Sequence, residues 1–322
     1  MLDAKLLATL MLLAAAITVH AAEWPTKPVR IIVPFAPGGT IDAQARPIAA
    51  HLTEVLKQPV LVENRPGAGT TIATAHVAKS PPDGHTLLIT LRTLAVTPVV
   101  YPKLAYDPVQ DFDTVSTIEV TYWLFCAHPS LPVRGFKDLV KLAKARPGEL
   151  NYAVTGIGTD NHLTMERLTR AVGIRMGQIP YGGGGPAVTA MLGGHVEVML
   201  VPGPLSVPHI KAGKMRPLAI FNDEGRSPVF PNVPTIAEEG LRGYGAGAWS
   251  GMLVPKGTPP HIINLLNAEI RKIVERNRQT GNQFIEGIQV PRSSTPAGMA
   301  KILREEVALW KRVAQEIGFK PE

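Results

Sequence analysis

The sequence predicts an α/β protein with two lobes, each built on a mostly parallel sheet flanked by helices. Strand-like and helix-like segments alternate along most of the chain, which is typical of strands joined by right-handed helical crossovers. The chain has 322 residues, which exceeds a typical single domain. Two β-prone runs, 115–127 and 248–254, can carry the chain from one lobe to the other and back. We therefore expect a discontinuous first lobe, 24–123 with 249–322, and a second lobe, 124–248.

The first lobe is predicted from apolar strands that alternate with amphipathic helices. Residues 29–34 are apolar on both faces, as expected of a strand that is covered by helices on each side. The next helix extends to Lys57, and Pro47 is expected to kink it unless the regular helix begins only at Arg46. The remaining predicted elements are strands at 59–63 and 86–90 and helices at 70–79, 259–276 and 296–318.

The second lobe repeats the opening pattern of the first. After a helix at 135–145, the strand 150–154 leads into a Gly/Thr-rich turn and then into a helix at 162–172. The first lobe opens in the same way, with a strand, a glycine turn and the start of a helix. The remaining predicted elements are strands at 174–179, 196–201 and 217–221 and a helix at 186–192.

The composition limits the class of partner. The formal net charge is +7, but the basic residues are spread along the chain without interleaved aromatic residues, so we expect no binding to nucleic acid. A mildly positive field that attracts small anions fits better. The single cysteine, Cys126, excludes an intramolecular disulfide and a cysteine-rich metal site, and we interpret it as a small buried side chain.

The N-terminus is typical of a secretory signal sequence, with the signal peptide expected at 1–21. Lys5 precedes a mostly apolar run at 6–19, which is too short for a comfortable membrane span. Val19-His20-Ala21 supplies small or apolar residues where a signal peptidase cleaves. An uncleaved N-terminal anchor is the alternative. Because no later stretch is long and apolar enough to span a membrane, we expect an exported, soluble mature protein.

Two Gly/Thr-rich turns at helix N-termini, one in each predicted lobe, are the main functional signal. The backbone N–H groups at the start of a helix are unpaired, and the helix dipole is positive there, so a carboxylate is the natural occupant. Facing each other across a cleft, the turns would hold a carboxylate through amides and hydroxyls. The candidate ligand-binding residues in these turns are Phe35, Ala36, Gly38, Gly39, Thr40, Asp42, Thr155, Gly158, Thr159 and His162.

Two of these candidates also have a purely structural interpretation. Asp42 either bonds the ligand or fixes its loop, or it is simply a carboxylate that the start of a helix stabilises. His162 either contacts the ligand or donates a hydrogen bond to a nearby carbonyl at the start of its helix. The sequence leaves both alternatives open.

Arg92 is the charged residue with the most suggestive position. It follows the predicted strand 86–90, and parallel strands bring their carboxyl ends to the binding crevice. A guanidinium at that point could clamp a carboxylate with two parallel hydrogen bonds, with Thr93 as a neighbouring contact. A solvated loop arginine is the alternative.

No motif in the sequence supports an enzyme, a cofactor site or a metal site. The turn at 67–69 lacks the third glycine of a dinucleotide fingerprint, and we interpret it as a structural turn. The glycines at 182–185 are not followed by the Lys-Ser/Thr of a phosphate loop. The chain has no Gly-x-Ser-x-Gly elbow and no His-x-x-x-His pair. We therefore expect no catalytic residue, no cofactor and no metal.

Short motifs along nearly the whole mature chain carry a resemblance to a known family. They are Trp24-Pro25, the run from Pro34 to Thr40 with Asp42 and Arg46, the run from Val62 to Gly69, Pro82-Asp83-Gly84, Tyr106-Asp107-Pro108 with Asp111-Phe112, Pro147-Gly148 with Leu150-Asn151-Tyr152, Pro180-Tyr181, Gly193-Gly194 and the run from Val233 to Glu238. In these motifs the sequence resembles the extracytoplasmic solute receptors of tripartite tricarboxylate transporters, the Bug/TctC type.

The resemblance implies a two-lobed periplasmic binding protein (type II-like) whose crossing segments act as a hinge. Such a protein closes on a small carboxylate and delivers it to the membrane permease subunits of a tripartite transporter, and we expect it to be a monomer. Ligand contacts are implied from the loops 35–42 and 155–162, and Tyr181 is a further candidate. The chain departs from the family at Leu91-Arg92, where small residues are usual.

Two other functions are compatible with such a protein. One is an exported sensor that binds its ligand and signals through a partner without transport. The other is an enzyme on the same two-lobed fold, against which the missing nucleophile, metal and cofactor motifs argue.

Overall fold

The computed structural model describes residues 24–38, 40–245, 247–280 and 287–320. The predicted signal peptide, 1–21, and its cleavage site therefore lie outside the described residues. Within the described part of the chain, no helix has the combination of length and hydropathy that a membrane crossing requires.

The described residues form strands and helices that alternate for most of the chain. The strands are β1 (Val29–Val33), β2 (Val60–Asn64), β3 (Thr86–Leu91), β4 (Phe112–Thr121), β5 (Trp123–Ala127), β6 (Asn151–Val154), β7 (Gly177–Pro180), β8 (Val198–Pro202), β9 (Arg216–Phe221), β10 (Ala248–Pro255) and β11 (Gln289–Pro291). The helices are α1 (Thr40–Leu56), α2 (Thr71–Ala78), α3 (Thr93–Val100), α4 (Phe136–Ala145), α5 (Asp160–Val172), α6 (Gly184–Leu192), α7 (Gly203–Lys211), α8 (Pro260–Thr280) and α9 (Pro296–Glu316), and a 3-10 turn at Ala68–Thr70 precedes α2.

These strands form two sheets, one in each lobe. The first sheet has the order β11-β4-β10-β3-β1-β2, and the second has the order β7-β6-β8-β5-β9. The first sheet is covered on both faces: Ile31 packs with Ile41 and Leu52 of α1, while its neighbour Ile32 packs in the other direction with Leu94 and Leu303. This arrangement confirms the α/β class and the two-sided burial of the first strand.

Each sheet is mixed, whereas the sequence predicted mostly parallel sheets. In the first sheet β1 is parallel to β2 and β3, but β10 is antiparallel to β3 and β4. In the second sheet β6 is parallel to β7 and β8, but β5 is antiparallel to β8 and β9. The βαβ units account for the parallel pairs. The antiparallel pairs arise because the strand that leaves a lobe and the strand that returns to it run side by side in opposite directions.

The chain changes sheets over a very short distance at its first crossing. β4 ends at Thr121 and β5 begins at Trp123, so Tyr122 alone separates the two sheets. The backbone of Tyr122 is fixed on both sides: its N–H donates to the carbonyl of Ile288 (2.7 Å), and its carbonyl accepts from the N–H of Gly203 (3.2 Å). The return crossing lies between β9 and β10.

Three elements of the structure are absent from the sequence-based prediction. The helices α3 and α7 were missed because Pro98 and Pro208 lie inside them, and proline normally argues against a helix interior. The three-residue strand β11 is too short to give a periodic signal. Pro47 lies at an exposed position within α1, which is assigned as one helix from Thr40.

Candidate functional site

A cavity of about 620 Å³ lies between the two sheets and is lined by residues from both lobes. This volume is within the range of small-molecule sites in proteins. The first residues of α1 (Thr40), α3 (Thr93), α5 (Asp160) and α6 (Gly184) all line it. Two helices of each lobe therefore point the positive ends of their dipoles towards one space. At the start of α5 the N–H groups of Asn161 and His162 are already bonded, to the Asp160 carboxylate (3.0 Å) and to the Thr159 hydroxyl (3.3 Å).

The loop between β1 and α1 contributes Pro34, Phe35, Ala36 and Thr40 to the lining. Its shape is fixed from behind by Asp42, which is buried. The Asp42 carboxylate accepts hydrogen bonds from the backbone N–H of Gly38 (2.9 Å), from the Asn64 amide (3.0 Å) and from two nitrogens of Arg46 (2.9 Å each). The Arg46 hydrogen bonds, helped by the Gly38 N–H, lower the pKa of Asp42 from 3.8 to about 2. Asp42 therefore fixes its loop and does not line the cavity.

The loop between β6 and α5 contributes the residues from Thr155 to Asp160. The hydrogen bonds that hold this loop in place are mostly between uncharged groups. The backbone N–H of Gly158 donates to Nδ1 of His162 (3.0 Å), and Thr159 caps α5 by accepting from the N–H of His162 (3.3 Å). Burial lowers the pKa of His162. Since Nδ1 accepts a hydrogen bond, the ring is neutral with its proton on Nε2, and His162 acts as the acceptor rather than as the donor that the sequence suggested.

A third loop, from Pro66 to Thr70, also lines the cavity. The sequence predicts a structural turn for its glycines, and in the structure this turn also lines the cavity. Gly69, with φ +58°, lies so close to Tyr101 that a Cβ would collide with the Tyr101 hydroxyl. Ala68 and Thr70 also have positive φ values, 43° and 82°. The turn itself was visible in the sequence, but the direction in which it faces and its close approach to Tyr101 were not.

The floor of the cavity is formed where the chain crosses between the sheets. Glu119 and Thr121 of β4, Trp123 of β5 and Ala248 of β10 line it. Glu119 is only 3% exposed, and burial raises its pKa. None of these residues was a candidate from the sequence.

The charge of the lining is unusual for a site that faces helix N-termini. Among the described lining residues there is no Lys, Arg or His. The carboxyl groups among them are those of Glu119 and Asp160, and the phenol of Tyr101 is the remaining ionisable group. Burial raises the pKa of Asp160, and the positive charge of Arg92 opposes that shift. The described residues also contain no group of three His, Cys, Asp or Glu side chains that could hold a metal ion.

The structure brings together part of the predicted set of ligand-binding residues. Those that line the cavity are Phe35, Ala36, Thr40, Thr93, Thr155, Gly158 and Thr159. Gly38, Asp42 and His162 lie just behind the lining and support the loops. Tyr181 is half-buried and packs against the core, with its N–H donating to the carbonyl of Val154 (2.9 Å). Gly39 lies outside the described residues.

Arg92 has a different position from the one that the sequence suggested. Its side chain does not line the cavity but lies buried against α9, where Nε is 3.2 Å from the Glu306 carboxylate and the guanidinium packs over the Trp310 ring. Nη2 also donates to the carbonyl of Gly247 (2.6 Å). Arg92 immediately precedes the helix α3, and this helix turns the chain so that the long Arg92 side chain points towards the C-terminal helix α9.

Comparison with known proteins supports a single family. Residues 44–319 match the family described as "Tripartite tricarboxylate transporter family receptor". The chain is 37% identical over 304 residues to Protein BugT of Bordetella pertussis, an alignment that covers 94% of this chain and 93% of that protein.

Solved structures agree with this result. The structure of R. palustris Rpa4515 with adipate has a TM-score of 0.83 and 35% identity, and the match covers 93% of this chain and all of that one. MatC from Rhodopseudomonas palustris with bound malate has a TM-score of 0.76 and 33% identity, covering 90% of this chain and 99% of that one. With its two lobes, its shared cavity and these relatives, the chain belongs to the tripartite tricarboxylate transporter receptor family of Bug/TctC-type solute-binding proteins.

Proposed function

We propose that this protein is a periplasmic receptor that captures a small carboxylate in the cavity between its lobes and does not transform it. The observation that carries the proposal is the convergence of four helix starts, two from each lobe, on one cavity. Helix N-termini bind anions through unpaired N–H groups and through the helix dipole. Two related structures contain adipate and malate, which supports a small organic acid as the ligand.

The ligand contacts that we propose are made by backbone and hydroxyl groups rather than by a basic side chain. Thr40 and Thr93 of the first lobe and Thr155 and Thr159 of the second lobe line the cavity. The Thr159 hydroxyl already donates to the carbonyl of Gly156 (2.8 Å), so the hydroxyl donors that we propose are those of Thr40, Thr93 and Thr155. Such donors bind a carboxylate without the need to bury a cation. Phe35, Trp123 and other apolar lining residues would enclose the carbon skeleton.

We further propose that binding is coupled to closure of two lobes, residues 24–123 with 249–322 and residues 124–248. The crossing at Tyr122 and the return between β9 and β10 would serve as the hinge. A ligand that contacts both lobes favours the closed state, because it binds that state more tightly than the open one. Gly158 of the second lobe already packs against Val100 of the first.

Ligand capture is tested by melting the ligand-free mature protein with mono-, di- and tricarboxylates and with amino acids. A ligand that binds only the native state raises the melting temperature by mass action. We expect a rise that is confined to one class of acid, and mass spectrometry of denatured protein detects any acid that copurifies. A folded, ligand-free sample that responds to no acid would refute the receptor proposal. Recovery of a chemically altered ligand after long incubation would favour an enzyme.

Delivery to the permease subunits of a tripartite transporter is the proposed role of the loaded receptor, as a monomer exported by its signal sequence. Uptake of the radiolabelled ligand by cells that lack the gene distinguishes transport from sensing. Loss of uptake supports delivery to a permease. Unchanged uptake with an altered transcriptional response would favour the sensor.

A further inference from the structure

Glu119 is a buried carboxyl group on the floor of the cavity that the binding of a simple acid does not explain. It lies on β4, lines the cavity and is only 3% exposed. Its Oε1 accepts hydrogen bonds from the hydroxyl of Thr121 (2.6 Å) and from the amide of Gln289 (3.4 Å). Within the described part of the chain, Oε2 accepts no hydrogen bond of normal geometry. The side-chain amide of Gln44 also lies close enough to lower the pKa of Glu119. The Glu119 carboxyl group thus lines the cavity with hydrogen-bonding capacity left for a ligand.

Glu119 differs from the other buried carboxyl groups because it pairs with no cation among the residues that the structure describes. Asp42 is paired with Arg46, and Glu269 is paired with His51 and Lys272. Asp160 feels the positive charge of Arg92. The neighbours that lower the pKa of Glu119 against its burial are all uncharged: Thr121, Gln289 and Gln44. Burying a carboxylate without a partner is costly.

The polar groups around Glu119 are also incompletely paired. Ser250 is the direct partner of Glu119 in the antiparallel β4–β10 ladder, and its buried Oγ has no hydrogen-bond partner among the described residues. The side-chain amide of Gln44, on α1, is buried and likewise lacks a partner of normal geometry in that part of the chain. The floor thus offers one acidic group, with incompletely paired polar atoms packed behind it, while the rim offers helix N-termini.

We propose that Glu119 selects an acid that carries an ammonium group in addition to its carboxylate. This inference rests on the proposed receptor function and names its substrate class. The carboxylate lies at the helix N-termini, and the ammonium group donates to the Glu119 carboxylate, supplying the cation that the described lining residues lack. An acid with a second carboxylate but no ammonium group would meet Glu119 with a like charge.

The test measures binding of matched acids by calorimetry to the ligand-free full mature chain. The sets are glutarate, 2-hydroxyglutarate and glutamate; adipate and 2-aminoadipate; and pentanoate and 5-aminopentanoate. In at least one set we expect the amino acid to bind about tenfold or more tightly than its hydroxyl or unsubstituted counterpart. The variant E119Q keeps the shape and removes the charge, and it should reduce that preference to about threefold or less. E54Q, an equal charge change at an exposed position of α1, should preserve it.

The outcomes separate this inference from the function on which it rests. Equal or tighter binding of the acids without an ammonium group by the wild-type protein would overturn the role of Glu119 and leave the receptor intact. A preference that survives in E119Q would do the same. Binding of none of the acids would refute the receptor proposal itself and the inference with it. If E119Q does not fold, the comparison of matched acids on the wild-type protein still tests the inference, because a wild type without the preference for the amino acid overturns it.

Discussion

The two loops that face each other across the cavity, β1–α1 and β6–α5, have the same order of elements, but one is stabilised by a charged side chain and the other by neutral ones. Both follow a buried strand, contain glycine in the left-handed region and lead into a helix. The first is held by an ionised carboxylate, Asp42, whose pKa falls to about 2. The second is held by a neutral histidine, His162, and by a threonine cap.

The carboxyl groups of the two loops show the contrast most clearly. Asp42 lies behind its loop with Arg46 bound to it, whereas Asp160 lines the cavity at the start of α5 and has a raised pKa. The cation whose charge acts on Asp160 is Arg92, which follows β3 of the first sheet and also pairs with Glu306. A strand–turn–helix motif therefore determines the position of a loop. The residues that pack behind the loop determine whether an ion pair or uncharged hydrogen bonds stabilise it.

The largest difference is expected between the two arginines. Arg92 and Glu306 are both largely buried, with side chains 8% and 12% exposed, whereas the Arg46 side chain is 57% exposed. Removing one partner of a buried ion pair costs about 3–5 kcal/mol. The exposed Arg46 guanidinium is screened by solvent, and the buried Asp42 keeps its hydrogen bonds from Gly38 and Asn64 when Arg46 is removed, so the loss there should be smaller. R92A should therefore lower the melting temperature much more than R46A, as measured by circular dichroism. Equal losses would show that the two pairs do not differ in this way.

The second difference concerns the glycines of the two loops. Gly158 and Gly38 both have left-handed φ values, +73° and +81°, but only at Gly158 would a Cβ collide with a residue of the other lobe, Val100. Overpacking costs about 1–3 kcal/mol, so G158A should weaken ligand binding by roughly 5- to 150-fold. G38A carries the same backbone strain without the collision and is the control.

The contact across the lobes can be confirmed by a second change. In the double variant V100A/G158A the smaller side chain removes the obstacle, and calorimetry should show that part of the lost affinity returns. If the double variant binds no better than G158A, backbone strain alone accounts for the loss.

The pH dependence of stability should have opposite signs for the two acids. The folded-state pKa of Asp42 is depressed from 3.8 to about 2, so its stabilising contribution is complete above about pH 4 to 5 and is lost as the pH falls through 2. The pKa of Asp160 is raised, so the wild type loses stability as the pH rises from 3.8 through the folded-state value. At neutral pH, D42N should therefore melt below the wild type and D160N at or above it. Thermal melts between pH 2 and 8 that show the same sign for both would contradict this prediction.

The smallest expected effect is the loss of the threonine cap of α5. T159A removes the hydroxyl that accepts from the His162 N–H, and loss of an N-cap costs about 1 kcal/mol. Thr295 caps α9 with nearly the same geometry, away from the cavity. T295A should reduce stability similarly in denaturant titrations, but only T159A should also weaken ligand binding. Equal affinity in both variants would mean that the cap has no part in the site.

Much of this fold follows from sequence patterns. The apolar strand predicted at 29–34, the helix that follows its glycine turn, and the strand at 150–154 with the helix at 162–172 all have clear local signals, and the structure has strands and helices at these places. The two helices that were missed contain Pro98 and Pro208, so local propensity argued against what tertiary packing enforces. Cys126 is buried, as predicted.

The side-chain directions in the site could not be predicted in the same way. The register between β10 and β4 shifts at two places, between Ser250 and Gly251 and between Met252 and Leu253. Each irregularity breaks the alternation of faces along a strand, so the orientation of Glu119 towards the cavity has no reliable signal in the sequence. Arg92 was misplaced for a related reason, because its direction depends on a helix that the sequence did not reveal.

The position of β10 in the first sheet has a consequence for the order in which the lobes assemble. β10 lies between β3 and β4, yet it reaches the sheet only after the chain has passed through the entire second sheet. Until residue 255 is available, β3 and β4 each present an open edge, which is the kind of surface that promotes association between partly folded chains. The second sheet uses only residues 123–221 and has no such dependence. We therefore expect the lobe that begins the chain to be the last to finish folding.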